Sequence, residues 1–141
     1  MKKIRVKNSG IVKLKNFNDF PDGYLAIAEA KKNIPMDIKR VYFISKLFNQ
    51  KSRRGHHAHK KCEQIIFCIN GSFKLKLDDG TNQQIILMNN PSLGIILGKK
   101  LWHTMFNFSS DCVILVLAND YFDKNDYIRN YDGFLKYIEK K

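Results

Sequence analysis

Three of the four histidines lie in the five-residue segment GHHAH at positions 55–59. If this segment is a strand, its side chains alternate between two faces, so His57 and His59 share one face at about 6–7 Å along the backbone. His56 then points to the opposite face. Glu63 follows at the same parity, and His103 stands in a second segment. Neutral imidazole can take a proton or bind a metal, so the pattern indicates an acid–base site or a metal site.

Short strands must position these histidines. Apolar or alternating runs bounded by turn residues recur along the chain, which is typical of a sandwich or a small barrel. The most apolar run, 112–118, is the predicted centre of a sheet. The segment before residue 24 fits either a strand pair or an irregular lead-in. The predicted strands are 38–44, 64–69, 73–77, 84–88, 94–97 and 112–118.

The end of the chain has a different pattern. From Asp126 to Lys141, apolar residues recur every three or four positions, which predicts one or two short amphipathic helices. No linker, repeat or low-complexity segment divides the chain, and 141 residues suit one domain. We therefore expect a single domain over residues 1–141.

Composition excludes several classes of protein. A hydrophobic content of 44% with 27% charged residues is typical of a globular chain rather than a disordered one. No apolar run reaches the roughly 18 residues of a membrane span, and no apolar stretch follows the first lysines as in a signal peptide. The three cysteines form no C-x-x-C pair, so we expect reduced, buried thiols. These features predict a cytoplasmic protein that does not bind membranes.

The net charge of +12 indicates an anionic partner. The lysines occur as pairs spread along the chain and do not form one basic arm or helix. Spread pairs are typical of a solvated surface, so the pattern disfavours direct binding of nucleic acid.

The histidine segments resemble the two sequence motifs of the cupins. A narrower resemblance, from about Ala26 to Ile138, is to the dTDP-4-keto-6-deoxyhexose 3,4-ketoisomerases. It is carried by KRVY at 39–42, RGHHAHK at 54–60 and DYIRNYD at 126–132. It implies an all-β cupin jelly-roll barrel, here with a short C-terminal helical segment. The cupin motifs are Gly55-x-His57-x-His59-x3-Glu63-x7-Gly71 and Gly94-x3-Gly98-x4-His103-x3-Asn107.

The resemblance also implies an activity, namely moving the keto group of dTDP-4-keto-6-deoxyglucose from C4 to C3 through an enediol. The product is a dTDP-3-keto-6-deoxyhexose for deoxyamino sugar synthesis. Members are homodimers, and their site works without a metal or other cofactor. Such a reaction requires a base near neutral pKa that reaches two adjacent carbons, and a donor near the C4 oxygen.

Residue roles follow from the resemblance and from side-chain chemistry. His57 matches the proton shuttle between C3 and C4, and Tyr42 matches the tyrosine that donates to the sugar oxygens. His59 is assigned to hydrogen-bonding the sugar or to setting the tautomer of the base. Arginine forks suit a pyrophosphate, and Trp102 fits either a stacking contact with the nucleotide or the barrel core. The predicted substrate-binding residues are Arg40, Arg54, Lys60, Trp102 and His103.

Two alternatives stay open at this point. A metal-dependent cupin enzyme would use His57, His59, Glu63 and His103 as ligands. A non-enzymatic cupin would bind a sugar nucleotide without turnover. In the isomerase Glu63 is structural instead, and His56 faces away from the barrel.

Overall fold

The computed structural model describes residues 3–139. Within them the chain forms twelve strands and one α-helix, α1, at Tyr131–Glu139. The strands are β1 Ser9–Lys13, β2 Lys15–Asn18, β3 Tyr24–Ile27, β4 Arg40–Ile44, β5 Arg53–His59, β6 Gln64–Asn70, β7 Phe73–Asp78, β8 Gln83–Met88, β9 Leu93–Leu97, β10 Trp102–Phe106, β11 Val113–Ala118 and β12 Tyr127–Ile128.

Two five-stranded antiparallel sheets make up the body of the molecule. One has the strand order β1-β9-β6-β11-β4 and the other β12-β5-β10-β7-β8. The alternating sequence of β7 explains how the sheets pack, because Phe73, Leu75 and Leu77 are fully buried between them while the lysines at 74 and 76 are only partly covered. The predicted all-β cupin barrel is thus confirmed.

The ends of the predicted strands agree with the structure to within two residues. The strand predicted to be central is not the central one. The most apolar run, now β11, lies inside its sheet between β6 and β4, and β6 is the central strand. Before residue 24, β1 pairs with β9 and β2 pairs with β3 in a hairpin. Of the two alternatives for this segment, strands are present, but β1 and β2 each pair with another strand and not with each other.

The C-terminal prediction needs a correction. Tyr127 and Ile128 form β12, which pairs with His59 and Ala58 of β5, and helix α1 begins only at Tyr131. The helical spacing at 127–128 is overridden because the two residues complete the edge of a sheet. Lys140 and Lys141 lie outside the described residues.

Two outer faces of the sheets are covered by other segments. Helix α1 packs Phe134 against Ala58 and Trp102 of one sheet. Ile34, from the segment between β3 and β4, packs in one cluster with Val12 and Phe67 of the other sheet. All three cysteines are free and buried. In the described part of the chain, no helix has the length and apolar character needed to span a membrane.

Candidate active site

A β-bulge in β5 orients the histidine segment. Gly55 pairs with Thr104 of β10 and His57 pairs with His103, so His56 has no partner on β10. Gly55 and His56 both have positive φ, at 86° and 55°. A Cβ at Gly55 would lie 2.8 Å from the His103 carbonyl oxygen, so only glycine permits this approach of the two strands. The extra residue turns His56 out to solvent and directs His57 inward.

The bulge brings three histidine rings together inside the barrel. The ring centroid of His57 lies 5.0 Å from that of His59 and 4.6 Å from that of His103. His57 Nδ1 lies 3.1 Å from the Gly55 carbonyl oxygen. Because a carbonyl only accepts, this nitrogen carries the hydrogen and Nε2 keeps its lone pair.

Burial keeps these imidazoles neutral. It lowers the pKa of His57 to about 4, and the neighbouring His59 ring adds to this effect. Burial likewise lowers the pKa of His59, and it lowers that of His103 well below its ordinary value. At neutral pH His57 is therefore an uncharged base with a free lone pair.

A cleft of about 460 Å³ opens in front of His57. Strand β4 alternates along it, so Arg40, Tyr42 and Ile44 line the cleft while Val41 and Phe43 are exposed. Burial raises the pKa of Tyr42 to about 12, with a further contribution from Tyr127. Its phenol therefore remains protonated and can donate a hydrogen bond toward a ligand in the cleft.

Four arginines line the same cleft, although only two of them were predicted to bind substrate. Arg54 pairs with Met105, a residue that also lines the cleft, so the bulge places Arg54 on the same side as His57. Strict alternation would have separated positions 54 and 57. Arg53 and Arg129 complete the set. Such a concentration of guanidinium groups suits a phosphate-bearing ligand.

Tyr127 and Arg129 were missed as site residues. The Tyr127 ring lies 4.9 Å from His57 and 4.5 Å from His59, and the Arg129 guanidinium lies 4.4 Å over the Tyr127 ring. Both residues belong to the DYIR motif, which the sequence predicts as helix. In the structure this segment is extended, so residues two positions apart both reach the cleft.

Three predicted binding residues, Lys60, Trp102 and His103, do not line this cleft. Lys60 lines a separate depression with Lys136 and Tyr137, on the other side of Tyr127. Trp102 is 8% exposed and packs under helix α1 against Phe134. A side chain enclosed in this way offers no face for a nucleotide base, so the core interpretation of Trp102 fits the structure. His103 is buried behind His57, within contact of its ring.

The structure does not assemble the four-residue metal set. Strand β5 ends at His59 and β6 begins at Gln64, so the alternation does not continue to Glu63. Glu63 instead borders a shallow depression with Lys99. A different trio, His59, Cys62 and Asp126, has ligand-type atoms within 4.8 Å of one another.

This trio is already occupied by internal hydrogen bonds. The Asp126 carboxylate accepts from His59 Nδ1 and from the backbone N–H groups of Lys61 and Cys62. The Arg40 guanidinium lies 3.9 Å from the Cys62 sulfur, which disfavours a second cation. The geometry therefore fits a hydrogen-bonded pair rather than a metal centre.

Buried polar atoms without a partner are concentrated at this site. Within residues 3–139 they are Nε of Arg40, Nε2 of His59 and both amide atoms of Gln64. Gln64 and Arg40 each pair with Ala118, one on either side of β11, so the two side chains share the interior face of the sheet. Unpartnered buried polar groups cost stability, and their concentration here is typical of a ligand site.

Comparisons with known proteins identify the family of this chain. The family model described as "FdtA: WxcM-like, C-terminal" matches residues 7–139. A TDP-4-oxo-6-deoxy-alpha-D-glucose-3,4-oxoisomerase from Aneurinibacillus thermoaerophilus is 51% identical over 132 residues, covering 91% of this chain and 93% of that protein.

Solved structures give the same result. A mutant of the 3,4-ketoisomerase QdtA from Thermoanaerobacterium thermosaccharolyticum, in complex with TDP-4-keto-6-deoxyglucose, superposes with a TM-score of 0.92 at 42% identity, covering 97% of this chain and 98% of that one. The TDP-quinovose 3,4-ketoisomerase WlaRB from Campylobacter jejuni has a TM-score of 0.86 and 42% identity, covering 93% and 99%. The chain therefore belongs to the FdtA-like family of sugar 3,4-ketoisomerases, as its histidine and DYIR motifs predict.

Proposed function

We propose that this protein moves the keto group of dTDP-4-keto-6-deoxyglucose from C4 to C3, giving a dTDP-3-keto-6-deoxyhexose. The observation that carries the proposal is a neutral His57 whose free Nε2 faces a cleft lined by four arginines. Membership of the family supports the isomerase over the metal-dependent alternative, whose ligand Glu63 lies elsewhere.

The reaction is an internal oxidation and reduction that needs no external electron carrier. His57 takes the proton from C3, and the electrons of the C–H bond form the C3=C4 double bond of an enediol. As C3 becomes a ketone, the same imidazole returns the proton to C4. Tyr42 donates a hydrogen bond to the C4 oxygen while negative charge develops there.

The arginines supply binding and orientation. We assign Arg40 and Arg54 to the pyrophosphate, as the sequence predicted, and add Arg53 and Arg129 from their place along the cleft. Planar guanidinium groups form paired hydrogen bonds with phosphate oxygens and keep their charge at any working pH. Positive charge around the cleft then increases the rate at which an anionic substrate is captured.

We further propose that two copies of the chain form a homodimer. Strand β4 is the edge of its sheet, and its outward side chains Val41 and Phe43 are 57% and 69% exposed. An open edge with exposed apolar side chains is typically covered by another chain. Sedimentation equilibrium tests this, because a dimer has twice the mass of one chain at micromolar concentration. A monomer there would contradict it.

A cytoplasmic location, a single domain and the absence of nucleic-acid binding stay predictions. The three free cysteines are typical of a reducing compartment.

The test of the activity follows the ring protons by NMR. The purified protein is incubated with dTDP-4-keto-6-deoxyglucose in heavy water containing EDTA, beside an enzyme-free sample. We expect a 3-keto product, with deuterium entering C3 or C4 wherever the shuttled proton exchanges with solvent. The configuration at C4 identifies the product.

Two outcomes would contradict the proposal. Turnover that appears only after a divalent metal is added would indicate a metal-dependent enzyme. Binding of the sugar nucleotide without any turnover in either condition would indicate a binding protein.

A further inference from the structure

Asp126 is a buried carboxylate to which the sequence assigned no role. It lies at the end of a short 3-10 turn, just before β12, and is 8% exposed. Its oxygens accept from the backbone N–H of Lys61 at 2.6 Å, from that of Cys62 at 3.2 Å and from His59 Nδ1 at 2.9 Å. One side chain therefore holds both the turn that follows β5 and the imidazole at the end of β5.

The contact with Asp126 determines the tautomer of His59. Burial alone would raise the pKa of Asp126, but the hydrogen bonds from His59 and from the Lys61 and Cys62 backbone outweigh it and leave the pKa below its usual value. The carboxylate is thus ionised and only accepts, so His59 Nδ1 carries the hydrogen. The lone pair then resides on Nε2.

That Nε2 atom is buried and has no hydrogen-bond partner in the described part of the chain. The His59 side chain is 2% exposed, and its ring centroid lies 5.0 Å from that of His57 and 6.2 Å from that of His103. A buried acceptor without a donor costs free energy unless a ligand supplies the donor. The hydroxyl group of a bound sugar is such a donor.

The isomerisation needs a second proton transfer that His57 does not perform. The carbon-bound proton moves from C3 to C4, and the hydroxyl proton must also move from O3 to O4. C3 and O3 each lose one proton, and C4 and O4 each gain one. The pair of transfers therefore balances without another reactant. Two adjacent imidazoles in different surroundings can divide this work.

We propose that Asp126 is a positioning residue that holds His59 with its Nε2 lone pair toward the sugar hydroxyls, so that His59 carries the proton from O3 to O4 while His57 carries the proton from C3 to C4. The inference rests on the proposed isomerase activity. During the transfer His59 is briefly an imidazolium, and the adjacent Asp126 carboxylate stabilises that charge. His57 has only a backbone carbonyl at its Nδ1 and remains the weaker acceptor of hydroxyl protons.

The first test reads the tautomer in the wild-type protein without substrate. Nitrogen-15 NMR of labelled histidine distinguishes a protonated Nδ1 from a protonated Nε2. We expect one buried histidine, assigned to His59 by its loss in His59→Asn, to carry the hydrogen on Nδ1 with a strong hydrogen bond. A hydrogen on Nε2 would overturn the proposal, whatever the substrate of the enzyme is.

The second test replaces Asp126 by asparagine. The amide can donate to His59 Nδ1 and would invert the tautomer. We expect kcat to fall by about 100-fold, within the range that one proton-transfer group contributes, with KM changed less than about threefold. The matched control is Asp123→Asn, an exposed carboxylate that caps the same 3-10 turn and contacts no histidine. It should leave kcat unchanged.

A double-mutant cycle separates positioning from general stabilisation. If Asp126 acts through His59, the variant carrying both Asp126→Asn and His59→Asn loses no more kcat than His59→Asn alone. Two losses that multiply would show that Asp126 acts independently of His59 and would overturn the proposal. If the wild-type protein shows no turnover, the proposed function fails instead, while the tautomer measurement still reports on the Asp126–His59 pair.

Discussion

Two regions of the barrel interior differ in whether their buried side chains all have packing or hydrogen-bond partners. The apolar region is centred on Phe73 and Met88, which are 0% and 1% exposed. Both residues belong to one continuous hydrophobic cluster. The histidine region, formed by His57, His59 and His103, borders an open cleft and contains a buried nitrogen without a partner. The same two sheets build both regions.

The difference separates stability from chemistry. Close packing in the apolar region contributes to the free energy of folding through area removed from water. In the histidine region, burial lowers the histidine pKa values and leaves polar atoms unpartnered, both of which cost stability. Substitutions in the two regions should therefore change different measurements.

The largest expected effect is on turnover in the histidine region. His57→Asn removes the base that reaches C3 and C4, so kcat should fall by about 100- to 10,000-fold with substrate binding roughly kept. Thermal unfolding of the variant should match or exceed that of the wild type, because a buried, desolvated imidazole is gone. Stopped assays of product and calorimetry check both. Normal turnover would remove His57 from its assigned role.

The next largest effect is expected on the free energy of unfolding, from a substitution in the apolar region. Met88→Ala leaves a cavity, and the free energy of unfolding should fall by about 2–5 kcal/mol. The adjacent Leu87 points outward and is 52% exposed, so Leu87→Ala should change it by less than about 0.5 kcal/mol. Urea titrations measure both, and kcat of the folded Met88→Ala protein should stay within about threefold. Equal losses from the two variants would contradict the packing described.

A smaller effect is expected when the pH is lowered, which should reduce the free energy of unfolding. The pKa of His57 is lowered to about 4 in the folded chain, and those of His59 and His103 are lowered too. Between pH 6.5 and about 4 the unfolded chain binds more protons, so stability is fully present above this window and falls as pH decreases through it. Each histidine contributes at most about 1.4 kcal/mol per pH unit. Urea titrations at several pH values should show this slope, and His57→Asn should reduce it.

The smallest effect is expected one residue from the base. His56 is exposed on the bulge, at a positive φ that asparagine tolerates. His56→Asn should therefore leave kcat within about twofold of the wild type and change the melting temperature little. It is the matched control for His57→Asn. A large loss of turnover would show that the bulge residue takes part in the site.

Periodicity predicted the strands well because it depends on local alternation between core and solvent. Strand β7 alternates strictly and was located to within one residue. Periodicity gave the wrong prediction at Tyr127 and Ile128, where the spacing is typical of a helix but the residues pair with β5 instead. That pairing is a contact over more than sixty residues, which no local pattern encodes.

The sequence by itself determined the family, the barrel and the shared face of His57 and His59, because these depend on motif identity and on the two-residue repeat of a strand. Only the tertiary structure decided that a bulge brings Arg54 beside His57, that Glu63 lies away from the histidines, and that Asp126 holds His59. A bulge shifts the alternation by one residue, a turn interrupts it, and a hydrogen bond between distant residues exists only once the sheets have closed.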